Sequence, residues 1–387
     1  MSEHGTAGEA GTEGRRVERC RILIVGAGIA GLAAARALGR AGFAPELVER
    51  EAVWDHGGTG MYLPANGARA LRALGLEEAV VARAAPIPSQ RLLDHRGRLL
   101  AEVDVRRLWG EVGPCLALPR ADLHAVLRAG VPLRAGRTVR ALERVDGPVA
   151  VAFEDGGEGE YDLVVGADGL RSAVRRLAVD PRPPVPVGQD SWRFLVPCPP
   201  EVTTWTVLLG RGASFLAVPV GQGLAYCYAD VTGDAAGGGL DGDPVGRLRE
   251  RFGGFAAPVP ELLGQVGDRE RVHVGPIEQV AGQRWGRGAV VLVGDAAHGM
   301  SPNMAQGASL ALEDALVLAA CLRAAGTVGD ALAAFVARRS RRTAWVRAQT
   351  HRRDRARNLP PVVRDLTLRA FAQRMFRSGY RPLLEPA

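Results

Sequence analysis

Lysine is missing altogether: all 49 basic residues of this 387-residue chain are arginine. That excludes a P-loop, whose lysine reaches the phosphates, and any mechanism that forms a Schiff base on the protein, pyridoxal phosphate chemistry included. Cysteine is scarce. Cys20, Cys115, Cys198, Cys227 and Cys321 lie far apart, with no Cys-x-x-Cys and no histidine at metal-ligand spacing. No metal site is expected, and the thiols read as reduced and mostly buried in a cytoplasmic protein. Aromatic residues make up only 5% of the chain. No run of about 18 apolar residues occurs, so no membrane span is expected. Residues 1–19 are polar and glycine-rich, without the apolar stretch of a signal peptide, and read as a disordered leader. The net charge of +7 invites a nucleic-acid reading, but the excess gathers between Arg338 and Arg357 with no interleaved aromatics. That run reads as a solvated helical face, and no nucleic-acid partner is expected. The same field would draw in small anions.

What the chain does have is a set of apolar, β-branched runs that break at glycine. Ile22-Leu23-Ile24-Val25 leads into Gly26-Ala27-Gly28-Ile29-Ala30-Gly31; Leu163-Val164-Val165 leads into Gly166-Ala167-Asp168-Gly169; Val290-Val291-Leu292-Val293 leads into Gly294-Asp295-Ala296-Ala297-His298. Each is how a buried parallel strand enters a tight turn against a ligand. In the first, Gly26 makes the turn, Gly28 lets the backbone approach a pyrophosphate, and Gly31 lets the following helix, read from Leu32 to Leu38, pack closely. That helix aims its positive end at the phosphates. Pro45 to Glu49 reads as the next strand, and Glu49, with Arg50 beside it, falls near the roughly 20-residue offset at which an acid meets a ribose.

The intervening segments differ in character. Gly57 to Asn66 reads as a loop before a helix from Ala68 to Leu76, and Pro119 to Arg128 as a further helix. Residues 190–230 hold Trp192, Phe194, Trp205, Phe215, Tyr226 and Tyr228 in alternating runs between glycine and proline turns, a mixed or antiparallel sheet. The pattern predicts an α/β protein. A discontinuous Rossmann-like domain (20–85, 110–182 and 284–345) carries an inserted sheet domain (86–109 and 183–283), followed by a C-terminal helical segment (346–387). Within that segment Val363, Leu366, Phe371, Met375 and Phe376 suggest an amphipathic helix packing across the two domains.

On these residues the chain resembles the FAD-dependent aromatic hydroxylases, single-component flavoprotein monooxygenases of the p-hydroxybenzoate hydroxylase type. The resemblance covers about residues 21–350. Asp168-Gly169-Leu170-Arg171-Ser172-Ala173-Val174-Arg175 fits the family's Asp-Gly-x-x-Ser-x-x-Arg, and Gly294 to His298 followed by Pro302 fits the stretch whose aspartate holds the flavin ribitol. The resemblance implies FAD held by Gly26, Gly28, Ala30, Gly31, Glu49, Arg50, Arg120, Asp168, Asp295, Gly307 and Ala308. It implies NAD(P)H as reductant and molecular oxygen as co-substrate, with one oxygen atom inserted by hydroxylation or epoxidation through a flavin hydroperoxide. The family's Gly-Gln-Gly after the proline is here Ala305-Gln306-Gly307, and its Pro-Asn is Ala65-Asn66. The absence of lysine separates the chain from the flavin halogenases, a similar family.

The same resemblance implies a small aromatic or polyketide-like substrate lined by Met61, Tyr62, Arg193, Tyr226 and Tyr228, with Arg193 and Tyr226 the candidate catalytic side chains. The tyrosines also read as plain strand packing, and Arg193 as a stacking residue at a sheet edge. His273 and His298 are conceivable bases, His298 acting more through its place in the loop than through its ring. Two other functions stay open: a flavin dehydrogenase or oxidase, and a non-redox flavoprotein that serves as a cyclase or binding protein. The protein is expected to be a monomer or homodimer.

Overall fold

The apolar runs before the glycine segments become adjacent strands of one sheet. Its order is Gly286–Arg287, Val290–Leu292, Leu163–Gly166, Ile22–Val25, Glu46–Glu49 and Arg134–Ala135, parallel throughout except for the first pair. The computed structural model describes residues 20–53, 59–232, 243–267 and 272–387. The expected leader 1–19 and glycines 57, 58 and 237–239 lie outside the described residues. Val25 pairs with Gly166, and Gly166 with Leu292. The strands therefore end level, and all three glycine turns leave the same carboxyl edge, where ligands of open α/β sheets bind. The helix Ile29–Arg40 packs between this sheet and the helix Gly307–Ala324.

The inserted domain is a seven-stranded sheet in the order His273–Gln279, Val185–Pro197, Leu224–Thr232, Ala213–Gly221, Trp205–Leu209, Ser89–Asp94 and Leu99–Asp104. It is antiparallel except where Trp205–Leu209 runs parallel to Ser89–Asp94, so the expected mixed sheet forms. One face packs Trp192, Phe194 and Phe215 against the helices Pro244–Phe252 and Val259–Gly264. The other face packs Trp205, Val207 and Val218 into a cluster with Tyr62, Met304 and Leu310. No helix among the described residues is long and apolar enough to cross a membrane.

The C-terminal region departs from expectation in two ways. The helix Val328–Arg357 runs unbroken through residues 345 and 346, so the boundary drawn there is no break in structure. The helix Pro361–Tyr380 forms, but Val363, Leu366, Phe371 and Met375 are largely exposed, and its buried face is Arg364, Ala372, Phe376, Gly379 and Tyr380. Ala372, Phe376, Gly379 and Tyr380, small or aromatic, make the contact, so that of the expected apolar residues Phe376 alone is buried.

Candidate active site

The first glycine turn is built to receive a ligand. Gly26 has φ +101°, and a Cβ there would lie 2.6 Å from the Ala167 carbonyl oxygen. The helix starts at Ile29, three residues before the expected Leu32, so Ala30 and Gly31 belong to its first turn. No side chain caps that turn. A Cβ at Gly28 would meet no atom within 4 Å, which leaves an open cradle in front of unpaired helix N–H groups. Glu49 closes one side, its carboxylate accepting from the Ala27 N–H at 2.8 Å and the Glu51 N–H at 3.1 Å. Arg50 is exposed and pairs with Glu51. Arg120 begins the helix Arg120–Arg128 with an exposed side chain, and its N–H donates to the Thr59 carbonyl.

The middle motif is an internal brace. Asp168 accepts from the Ser172 hydroxyl and from the N–H groups of Ala173 at 2.7 Å and Val174 at 3.1 Å. The residue expected at the cofactor thus caps the turn that follows it, and burial pushes its carboxyl above the usual range. Arg175, buried, donates to the Ala296 carbonyl at 2.9 Å and so clamps the middle motif to the late one.

In the late motif Gly294 has φ +60°, and a Cβ there would come within 2.7 Å of the Ala30 Cβ, so two of the glycine turns touch. The Asp295 side chain is exposed and accepts no hydrogen bond from the described residues; its Oδ1 lies 3.6 Å from the Cβ position of Gly307. Gly307 and Ala308 open an 18-residue helix that no side chain caps. These residues fit FAD: a pyrophosphate cradle, an acid at the second strand's end, a free carboxylate in the late motif and a second uncapped helix start.

Behind this site lies a buried polar network that reading the sequence missed. Asp314 accepts from the Gly294 N–H at 2.9 Å, His298 Nε2 at 2.8 Å and Arg339 Nε at 2.7 Å. Glu313 accepts from Asn66 at 3.0 Å, Arg339 at 3.0 Å and Arg342 at 2.7 Å. Asn66 also exchanges hydrogen bonds with Gln306, two residues before Ala308. Asn66 can do so because its helix starts at Ala65 and not at Ala68. Burial pushes the Asp314 carboxyl up, but His298 and Arg339 outweigh it and hold the group below the usual range. The arginine run is therefore not simply a solvated face: Arg339 is fully buried, and Arg342, Arg353 and Arg357 turn inward to Glu313, Tyr380 and Asp230. Nor is the His298 ring idle, since it bonds Asp314 and stacks near Trp285. The readable signal was the acid pair Glu313-Asp314 inside an otherwise apolar helix.

A cavity of about 580 Å³ lies between the sheet and this site. It brings together Met61, Tyr62, Arg193, Tyr226 and Tyr228 with Gly307 and Ala308. Trp205 and Asn303, and Arg352, Arg353, Arg357 and Arg364 from the C-terminal helices, also line it and were not anticipated. His273 lies on the edge strand and His298 behind the late motif, and neither lines the cavity. Burial raises the phenols of Tyr226 and Tyr228 to about 12, so both stay protonated donors near neutral pH. The Tyr228 hydroxyl is buried without a hydrogen bond of ordinary geometry. Arg193 lies 5.7 Å from the centroid of the Tyr228 ring and forms no ion pair with the described residues.

Comparison with known proteins agrees with this geometry. The family described as FAD binding domain matches residues 19–183 and 264–350. The chain is 37% identical over 334 residues to an aurachin C monooxygenase/isomerase of Stigmatella aurantiaca, covering 83% of this chain and 85% of that protein. It is 33% identical over 341 residues to a 2-heptyl-3-hydroxy-4(1H)-quinolone synthase of Pseudomonas aeruginosa, covering 85% and 87%. The crystal structure of Klebsiella pneumoniae HpxO complexed with FAD and uric acid superposes with a TM-score of 0.87 at 25% identity, over 94% of this chain and 96% of that one.

Proposed function

The chain belongs to the FAD-binding-domain family and is an FAD-dependent monooxygenase, and from that premise we propose that it oxygenates an electron-rich aromatic or heteroaromatic molecule held in the cavity beside Gly307 and Ala308. The observation that carries this reading is that these two residues belong to both halves of the site. Gly307 stands next to the free carboxylate of Asp295, and both residues wall the cavity that holds Arg193 and Tyr228. Bound FAD, reduced by a nicotinamide nucleotide, supplies the oxygen activation. The protein's share is placement and charge. The uncapped start at Gly307 presents N–H groups and a positive helix end that favour negative charge there. Arg193 and the neutral phenol of Tyr228 orient an oxygen of the substrate, and the apolar walls keep water out. Among the described residues no acid–base triad lines the cavity, in keeping with a reaction whose hard step belongs to the cofactor.

The deciding experiment supplies the protein with FAD, NADH or NADPH, and a 4-quinolone under labelled oxygen gas. Nicotinamide consumption should depend on substrate, and the product should carry one labelled oxygen atom. A product that has lost two hydrogens without gaining oxygen would move the protein to the dehydrogenases. Turnover that continues without oxygen or nicotinamide would make it a non-redox flavoprotein.

Two substitutions address the halves separately. Asp295→Ala should weaken FAD binding by about 10- to 100-fold, the loss of a charge-assisted hydrogen bond of about 1.5–3 kcal/mol, with secondary structure unchanged. Full FAD affinity in that variant would remove Asp295 from the cofactor site. Arg193→Ala should leave bound FAD unaltered and raise the substrate dissociation constant about tenfold or more. A variant that binds substrate normally would return Arg193 to a stacking role.

A further inference from the structure

Strand pairing sets the cavity floor out as a row across the sheet. Arg193, Tyr228, Leu216, Val207 and Leu92 are successive partners on five neighbouring strands, and all five line the cavity. At about 4.8 Å between strands the row is roughly 19 Å long. Its composition is asymmetric. Arg193, which has no acidic partner among the described residues, and the buried Tyr228 hydroxyl, with Arg357 beside it, stand at one end. The remainder of the row is aliphatic, and over it lies the helix Pro361–Tyr380, contributing Leu368, Ala372, Met375 and Phe376 to the wall, while its Arg364 donates to the Leu209 and Gly210 carbonyls.

A single ring placed at Arg193 and Tyr228 covers the polar end and leaves the rest of the trough as wet apolar surface. Filling that surface is favourable in proportion to the area removed from water. We infer that the substrate is an elongated amphiphile: an aromatic head whose oxygen meets Arg193 and Tyr228, and an aliphatic chain lying over Leu216, Val207 and Leu92 beneath the C-terminal helix. Leu368 and Ala372 then set the longest chain accepted. The inference rests on the monooxygenase reading for the identity of the head, and on the trough alone for the chain.

Calorimetric titration of the purified, FAD-loaded protein with 2-alkyl-4(1H)-quinolones, from methyl to nonyl, tests it. The dissociation constant should fall about fourfold for each methylene that finds the trough, then level off. Ala372→Phe should bring the levelling to a shorter chain while keeping the affinity of the methyl compound. Leu368→Trp, at a half-buried position that tolerates bulk, should do the same even where Ala372→Phe fails to fold. A dissociation constant indifferent to chain length in the unaltered protein would overturn the proposal, as would a levelling point that neither variant moves. The visible flavin absorbance separates the two readings. A yellow protein with a flat series loses the trough alone, and a protein that never binds FAD but keeps the chain-length slope loses the monooxygenase reading alone.

Discussion

Gly31→Ala should purify colourless and destabilised, whereas Gly28→Ala should purify colourless at nearly unchanged stability. The contrast comes from what a single methyl would meet. At Gly31 the added Cβ lies 1.8 Å from the Gly26 carbonyl oxygen and 3.3 Å from the Ala167 Cβ. Backbone cannot yield there cheaply, so the helix Ile29–Arg40 must withdraw from the turn, with an overpacking cost of about 1–3 kcal/mol or more. Its first-turn N–H groups move with it, and losing two such charge-assisted bonds to a pyrophosphate weakens FAD binding by roughly a thousandfold. At Gly28 the methyl meets nothing within 4 Å, and φ −69°, ψ −173° suits alanine. The smaller unfolded-state entropy of alanine offsets its weaker capping, each worth about 0.5–1 kcal/mol. The protein without cofactor should therefore keep its melting temperature, while the methyl stands where the pyrophosphate must approach. Thermal melts of the cofactor-free proteins and the flavin absorbance of the loaded ones read the two effects apart. If Gly28→Ala binds FAD like the unaltered chain, the cofactor does not lie over this turn.

The same local logic explains how much of this protein its sequence discloses. A glycine turn is a short-range statement: strand, break and helix lie within about ten residues, and their spacing alone places Gly26 and Gly31. Even the meeting of the three turns follows, because parallel strands that end level must release their turns together. The arginines of the helix Val328–Arg357 are a different matter. Whether Arg339 faces water or the core depends on acids 25 and 26 residues earlier in another helix, and charge density along one helix says nothing of that. The wall of the cavity was hidden for a related reason. Ala372 and Gly379 carry no hydrophobic signal, yet their small size lets the last helix sit close, while the conspicuous Leu366 and Phe371 point outward. The residues lining the substrate side come from seven strands, the stretch 302–308 and the two C-terminal helices, and that convergence is long-range by construction.

Arg339→Met should cost about 3–5 kcal/mol of stability at neutral pH and most of the FAD affinity with it. The guanidinium is fully buried and divides its donors: Nε to Asp314 at 2.7 Å, one terminal nitrogen to Glu313 at 3.0 Å, the other to the Leu310 carbonyl at 3.2 Å. Methionine fills similar volume but leaves Asp314 charged in the core with only His298 and one N–H for company. Because Asp314 also holds the Gly294 N–H, and Glu313 holds Asn66 and through it Gln306, the damage reaches both the late glycine turn and the helix start at Gly307. The sign of the pH dependence distinguishes this from mere loss of packing. In the unaltered protein the Asp314 carboxyl is held low, so its stabilising contribution is present above the unfolded value of about 3.9 and is lost only as the pH falls through the lower folded value. Without Arg339 less opposes burial and the folded value rises, so the deficit is largest at neutral pH and shrinks on acidification as the carboxyl takes up its proton. Arg339→Lys should recover only part of the loss, since one ammonium cannot reach both acids and the carbonyl in the same fork. Urea unfolding of the three proteins at several pH values checks the order. A deficit that does not change with pH, or a methionine variant as stable and as yellow as the parent, would show that the network merely fills space behind the flavin.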